Sequence, residues 1–145
     1  MSWKWWQQYE QYIDQKMRPE EIAEACEDAA DILEGHWCQG DWYLRDGING
    51  DKADGPAYCV EGAIAAAIGI DMDSVYDASD FSDSGKRDVL TSCPAWRAVY
   101  DTLNEGQEPE DLEDLPNFND TDGRVETEVL DLLRATAKRV LGVPK

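Results

Sequence analysis

The clearest hydrophobic pattern lies near the end of the chain, where apolar residues recur at the three- and four-residue spacing of a helix. These residues are Val125, Val129, Leu132, Leu133, Ala137 and Val140. Two glutamates come early in the pattern and three basic residues come late, an arrangement that the helix dipole favours. With Gly142 and Pro144 as stop signals, the pattern predicts a helix over residues 125–140.

A second helix is predicted over residues 19–34. Pro19 suits the first helical position, where a missing N–H costs nothing, and the acidic residues that follow it favour the positive end of the dipole. Gly35 is a natural stop. The apolar stripe of this helix consists of Ile22, Cys26, Ala29, Ala30 and Leu33.

The most apolar stretch runs from Ala57 to Ile70 and has Glu61 as its only charge. Because its apolar residues cover most of a helical circumference, we expect a buried central helix. A further helix is expected from Pro94 to Leu103. The predicted fold class is therefore mainly α: a compact bundle of four or five helices around the central helix, with at most a small β-hairpin near residues 42–49. An α+β fold with a small sheet in residues 37–58 is the alternative.

Residues 1–18 carry a different pattern, in which aromatic side chains recur near helical spacing. We predict an N-terminal aromatic amphipathic helix over residues 1–18, followed by a single helical domain over residues 19–145. Trp3, Trp5 and Trp6 form a cluster, and large aromatic residues are enriched at interaction hot spots. This cluster is a candidate contact for a partner or for a homodimer, and packing on the domain is the alternative.

The charge of the chain narrows the choice of partners. The formal net charge is −19, which should repel DNA, RNA and anionic lipid, so we expect a protein partner and no direct contact with nucleic acid or a membrane. Residues 104–117, the acidic loop, hold six carboxylates and no base. Their repulsion predicts an extended, exposed loop, fixed to the core by Leu112 and Leu115. The candidate partner-binding residues are Glu105, Glu108, Glu110 and Asp111. The alternative is that these carboxylates only interact with water and bind no partner.

Whether the cysteines are free thiols or form disulfides depends on the cellular compartment. No apolar run approaches the roughly 20 residues of a membrane span, and residues 1–17 do not resemble a signal peptide, so we expect a cytoplasmic protein. Cys26, Cys38, Cys59 and Cys93 are then predicted to be free, buried thiols. Zinc-motif spacing is absent, and the acidic segments match a calcium loop only in part. We expect no metal and no cofactor.

One set of residues has the side-chain types that are found in the catalytic site of a thiol-dependent enzyme. Cys59 lies near the predicted start of the central helix, where the dipole lowers a thiol pKa. His36, the only histidine, is the candidate base, and Asn119 or Asp120 could orient its ring. The structural alternative places Cys59 in the core and gives Asn119 and Asp120 a turn or capping role.

Three segments occur in an order that resembles a small domain family of unknown function found in actinobacteria and their phages. They contain Trp-Cys-x-Gly in residues 37–40 running to Arg45-Asp46, Cys-x-x-Gly-Ala in residues 59–63, and Asn-Asp in residues 119–120 leading into the last helix. The resemblance covers about residues 20–140. It implies a compact, mainly helical domain of phage or actinobacterial origin, and it supplies no catalytic assignment to carry over.

We therefore predict a non-enzymatic acidic binding protein that engages a cellular protein, in the host cytoplasm if the chain is phage-encoded. A narrower version makes it a mimic of nucleic acid. A small thiol-dependent hydrolase or transferase that uses Cys59 and His36 is the alternative.

Overall fold

A computed structural model of the chain describes residues 17–40, 43–44, 56–69 and 93–142. Its helices are α1 (Pro19–Leu33), α2 (Val60–Ala67), α3 (Pro94–Leu103), α4 (Leu115–Asp120) and α5 (Glu126–Val140), with a short 3-10 helix at Pro109–Asp111. Its strands are β1 (Tyr43–Leu44) and β2 (Ala57–Tyr58). The prediction of a mainly α fold is confirmed.

Two predictions lie outside the described residues. One is the N-terminal aromatic helix, which includes Trp3, Trp5 and Trp6. The other is most of the predicted β-hairpin near residues 42–49, of which only Tyr43 and Leu44 are described. Both remain predictions from the sequence.

Helices α1 and α5 pack against each other and form one side of the core. The face of α1 that meets the core is built from small side chains, including Ala29 and Ala30, and α5 contributes Val129 and Leu133. Both helices begin and end within a residue of their predicted bounds, because local start and stop signals agree with the apolar stripe. No described helix is long and apolar enough to cross a membrane.

Helix α2 is buried from Val60 to Ala65 and contacts α1, α3 and α4. The prediction of a buried central helix is confirmed, but its predicted start at Ala57 is wrong. Ala57 and Tyr58 form a strand instead, and the helix begins only after Cys59. The alanines of α2 and Gly62, which has no side chain, leave room for neighbouring helices to approach closely.

The two strands form a small antiparallel sheet in which Tyr43 pairs with Tyr58 and Leu44 with Ala57. Trp37 makes an isolated parallel bridge to Tyr58 on the other side. Tyr58 N donates to His36 O at 2.8 Å, and Tyr58 O accepts from Cys38 N at 2.9 Å. With β1 on its other side, Tyr58 is held extended, and this delays the start of α2. A small sheet was predicted, and among the described residues the partner strand of β1 lies at residues 57–58, inside the range 37–58 of the alternative prediction.

The acidic loop differs from its prediction. Helix α4 begins within it at Leu115 and the 3-10 helix lies in its middle, so the segment is folded and not extended. Asp114 caps α4 by accepting a hydrogen bond from Asn117 N at 2.9 Å, and Leu115 is fully buried. Leu112, the other predicted anchor, is 48% exposed. Local capping and the burial of Leu115 thus outweigh repulsion among the carboxylates.

Candidate functional site

The end of α4 carries a buried asparagine, Asn119, that joins three parts of the chain. Its Oδ1 accepts hydrogen bonds from Trp37 Nε1 at 2.8 Å and from Val60 N at 2.9 Å. Its Nδ2 donates to Cys38 O at 3.0 Å and to Asp120 Oδ1 at 2.9 Å. Two acceptor and two donor positions are all that a side-chain amide has, so the Asn119 amide is fully used.

This residue caps a helix that lies far from it in the sequence. Val60 is the first residue of α2, and Asn119 follows it by 59 positions. Gly40 N donates to Asp120 Oδ1 at 2.9 Å, and Gln39 Nε2 donates to Asn119 O at 2.9 Å. Residues 37–40, α2 and α4 are therefore one hydrogen-bonded unit, the Asn119 junction. Asn119 has the capping role that the sequence suggested, but on a distant helix.

The candidate thiol residues are not brought together as a catalytic trio. The Asn119 amide has no hydrogen-bonding position left with which to orient His36. Cys59 is 7% exposed and its Sγ accepts from Gly62 N at 3.4 Å, which helps to cap α2. Burial raises the pKa of the Cys59 thiol well above its usual range, and this disfavours the nucleophilic thiolate.

The backbone of His36 lies beside β2, because His36 O accepts a hydrogen bond from Tyr58 N at 2.8 Å. It is half-buried and lines a cavity of about 310 Å³ together with Asp31, Ile32, Pro56 and Tyr58. Cys59 is not part of that lining. The candidate base therefore lines this cavity without the candidate nucleophile.

Helix α2 also buries a carboxyl group, Glu61, which is 2% exposed. Its Oε2 accepts a hydrogen bond from Trp96 Nε1 at 2.8 Å. Trp96 is buried as well and stacks on Tyr100, with ring centroids 5.2 Å apart. The Glu61–Trp96 contact ties α2 to α3 inside the core, away from solvent.

The acidic loop is held in place by Asn104, which is buried just after the end of α3. Asn104 Oδ1 accepts from Glu113 N at 2.7 Å, and its Nδ2 donates to Glu113 O at 2.9 Å. The same Nδ2 also donates to Tyr100 O at 3.0 Å. We call this set of contacts the Asn104 clamp, since it closes the loop from residue 104 to residue 113.

Within the clamp, the loop displays its four candidate partner-binding carboxylates. Glu105, Glu108, Glu110 and Asp111 are all exposed. Glu105 Oε2 lies 3.7 Å from Arg139 Nε, in a pair that is too exposed to add much stability. None of the other three is paired with a base among the residues that the structure describes. The structure thus brings the four acids together on one folded, exposed segment.

A groove of about 450 Å³ lies beside this loop, between α3, α4 and α5. Its apolar lining consists of Leu103, Phe118, Leu132 and Ala135. Its charged lining consists of Glu105, Glu128, Asp131 and Arg139. We call it the α3–α5 groove.

The described residues contain no cluster of three or more His, Cys, Asp and Glu side chains that could hold a metal ion. All four cysteines lie in the described part of the chain, and all four are free and buried, as predicted. Burial raises the pKa of the Cys26 thiol to about 12. These thiols are packing residues of the core.

A family model matches residues 17–139 of the chain. The chain belongs to DUF6197, a family of unknown function. This finding confirms the resemblance to an uncharacterised domain, and the DUF6197 match also leaves out residues 1–16. Neither a curated protein nor a solved structure matches the chain.

Sequence reasoning missed two residues that organise this DUF6197 domain. Glu61 had a signal, because a helix that is apolar on nearly all sides must bury its one charge. Asn104 had a weaker signal, as an asparagine between the predicted end of a helix and Gly106, whose φ is +81°. Neither signal identifies the partner, which is Trp96 for Glu61 and Glu113 for Asn104.

Proposed function

We propose that this DUF6197 protein is a non-enzymatic binding protein that engages a cellular protein through its acidic loop. The observation that carries the proposal is the Asn104 clamp, which holds four exposed carboxylates in one folded segment. A loop that only kept the protein in solution would not need a buried side chain to fix its shape. The clamp makes sense if the positions of the carboxylates matter to a partner.

A fixed loop also binds at lower entropic cost. Preorganisation of a binding segment raises affinity because less freedom is lost when the complex forms. The net charge of −19 attracts a basic partner over distance and speeds encounter, an effect that salt weakens. The partner surface that fits this loop is therefore rich in lysine and arginine.

Two further parts of the proposal come from the sequence. The Trp3, Trp5 and Trp6 cluster is proposed as a second contact with the partner, and a homodimer contact is its alternative. A cytoplasmic location is also proposed, in the host cytoplasm if the chain is phage-encoded, and the resemblance to a family of actinobacteria and their phages is consistent with it.

Affinity capture from an actinobacterial lysate at low salt, read by mass spectrometry, tests the proposal. The loop variant carries Glu105→Gln, Glu108→Gln, Glu110→Gln and Asp111→Asn. Its matched control neutralises four exposed carboxylates of α1, with Glu20→Gln, Glu24→Gln, Glu27→Gln and Asp28→Asn. Both variants change the net charge equally, so a difference between them reports position and not total charge.

We expect the wild type and the α1 control to capture a protein that the loop variant loses. An unchanged partner profile from a correctly folded loop variant would contradict the proposal for the loop and move the contact to the tryptophan cluster. A Trp3→Ala, Trp6→Ala variant then tests that cluster. Competition with duplex DNA tests the narrower version, because a nucleic-acid mimic must be displaced from its partner by DNA.

The thiol enzyme receives less support. Its proposed nucleophile, Cys59, is buried, and its proposed base, His36, lines a cavity that does not include Cys59. Rapid labelling of Cys59 by iodoacetamide in the native protein would favour the enzyme over the binding protein.

A further inference from the structure

The α3–α5 groove lies next to the acidic loop and shares Glu105 with it. Its volume of about 450 Å³ falls in the range of about 300–1,000 Å³ that is usual for ligand clefts. Apolar side chains from α3, α4 and α5 contribute to its lining, namely Leu103, Phe118, Leu132 and Ala135. A ligand that enters the groove can therefore bury apolar surface.

The charges of the groove are mostly negative. Three carboxylates and one guanidinium take part in the lining. Arg139 faces Glu105 across 3.7 Å, and Glu128 is held by Arg124, with Nη1 and Oε2 2.9 Å apart. Asp131 is exposed and makes no ion pair with any described residue. A cation near Asp131 would find a carboxylate that is not already neutralised.

We propose that the α3–α5 groove receives an apolar side chain from a basic segment of the partner, with a flanking lysine or arginine against Asp131. The inference rests on the proposed function and deepens it, since it names the chemistry of the partner. An acidic loop alone would bind any basic surface, whereas this groove also requires the partner to supply an apolar side chain. The segment that fits is amphipathic, with one apolar face and lysine or arginine beside it, in the manner of a helix bound in a groove.

Fluorescence anisotropy with three synthetic peptides of equal length tests the inference on the full chain. The first peptide has leucine at helical spacing on one face and lysine on the other. The second replaces leucine by serine, and the third replaces lysine by glutamate. We expect the lysine–leucine peptide to bind about tenfold or more tightly than the lysine–serine peptide. The glutamate peptide should not bind, because the groove and the chain are acidic.

Two variants locate the binding. Ala135→Trp fills the groove from an exposed position of α5, and Thr127→Trp places the same side chain at an exposed position of α5 outside the lining. We expect Ala135→Trp to weaken the binding of the lysine–leucine peptide about tenfold or more. Thr127→Trp should leave the dissociation constant of that peptide within about twofold of the wild-type value. Asp131→Asn should weaken the binding of the same peptide severalfold, and added salt should reduce this difference from the wild type.

The inference is overturned if Ala135→Trp, with unchanged circular dichroism, binds the peptide as the wild type does, or if leucine and serine peptides bind equally. Self-association that Ala135→Trp abolishes would assign the groove to a second copy of the chain. If alanine replacement of Trp3, Trp5 and Trp6 makes the peptide bind more tightly, the groove would be assigned to the chain's own first residues. Either result also overturns the inference.

Failure of the inference and failure of the proposed function are distinguishable. If a captured partner is lost by the acidic-loop variant but kept by Ala135→Trp, the proposed function stands and the groove is not its contact. If no partner is captured and the peptide still binds in the groove, the groove stands and the proposed function fails.

Discussion

Replacement of Asn119 by alanine should be one of the most destabilising single changes in this chain. The change removes the side-chain acceptor of Val60 N, a buried amide at the start of α2. It also removes the hydrogen bond to Cys38 O, while the partners at Trp37 and Asp120 lie closer to solvent. The Asn119 junction then loses its link from α4 to the start of α2, but it keeps the bonds from Gln39 to Asn119 O and from Gly40 to Asp120.

The magnitude follows from the burial of each partner. A buried N–H left without an acceptor costs about 1–3 kcal/mol, and a lost hydrogen bond to a carbonyl costs about 0.5–1.5 kcal/mol. The partners near solvent add little because water replaces the amide. We therefore expect Asn119→Ala to lower the free energy of unfolding by about 2–4 kcal/mol, a large share of the roughly 5–15 kcal/mol that stabilises a typical domain.

Urea unfolding followed by far-UV circular dichroism and tryptophan fluorescence measures this loss. Asn117→Ala is the control, since Asn117 is an exposed residue on the same helix, and its change should stay within about 0.5 kcal/mol. Asn119→Asp keeps the acceptor but replaces the donor by an oxygen beside the Asp120 carboxylate, so it should also be destabilising at neutral pH. A loss below about 0.5 kcal/mol for Asn119→Ala would refute the junction as a structural centre.

Three further outcomes follow from the structure. Trp96→Phe removes a hydrogen bond to the buried Glu61 carboxyl and should lower the urea unfolding free energy by about 1–3 kcal/mol, whereas Glu61→Gln keeps an acceptor and should cost less. Native Cys59 should react with iodoacetamide at pH 8 only after urea unfolds the protein, because it is buried and its thiol pKa is raised; fast native labelling would contradict its core position. The hydrogen bond from Val125 N lowers the pKa of Glu128 from its ordinary 4.5, so its stabilising effect is present above that value and is lost as the pH falls through the lowered pKa. The difference in unfolding free energy between wild type and Glu128→Gln should shrink on acidification, and a difference that stays constant would refute this assignment.

The parts of the fold that could be predicted depend on signals within a few residues. Helices α1 and α5 have an apolar stripe together with a start and a stop, so their bounds are close to the prediction. Helix α4 also had signals, namely Asp114 as a cap and Pro116 in the first turn, but the surrounding carboxylates suggested a solvated loop. Charge density is a poor guide where a single residue such as Leu115 is buried.

The parts that could not be predicted depend on distant partners. The start of α2 is delayed because Tyr58 pairs with Tyr43 and with residues 36–38, and nothing near residue 58 reveals those partners. The same holds for Asn119, whose local sequence suggests a cap but does not say which helix it caps. The four hydrogen bonds that leave the Asn119 amide no position to orient His36 likewise depend on distant partners.

The acidic loop is the centre of the functional account, and its folded shape was likewise not predicted. Asn104 and Glu113 are near in sequence, yet composition alone favoured an extended segment. The loop variant that neutralises four carboxylates should still fold, because exposed substitutions usually change stability by less than about 0.5 kcal/mol. Relief of repulsion should offset the loss of the exposed Glu105–Arg139 pair.

The most direct test is the association rate of the captured partner with wild type and with the loop variant, measured by biolayer interferometry from low to high salt. We expect the wild type to associate fast at low salt and to slow steeply as salt is added, since screening weakens attraction between exposed charges. The loop variant should associate slowly throughout, with a flatter dependence on salt, while the α1 control stays close to wild type. Equal rates and equal salt dependence for the wild type and a correctly folded loop variant would contradict the account.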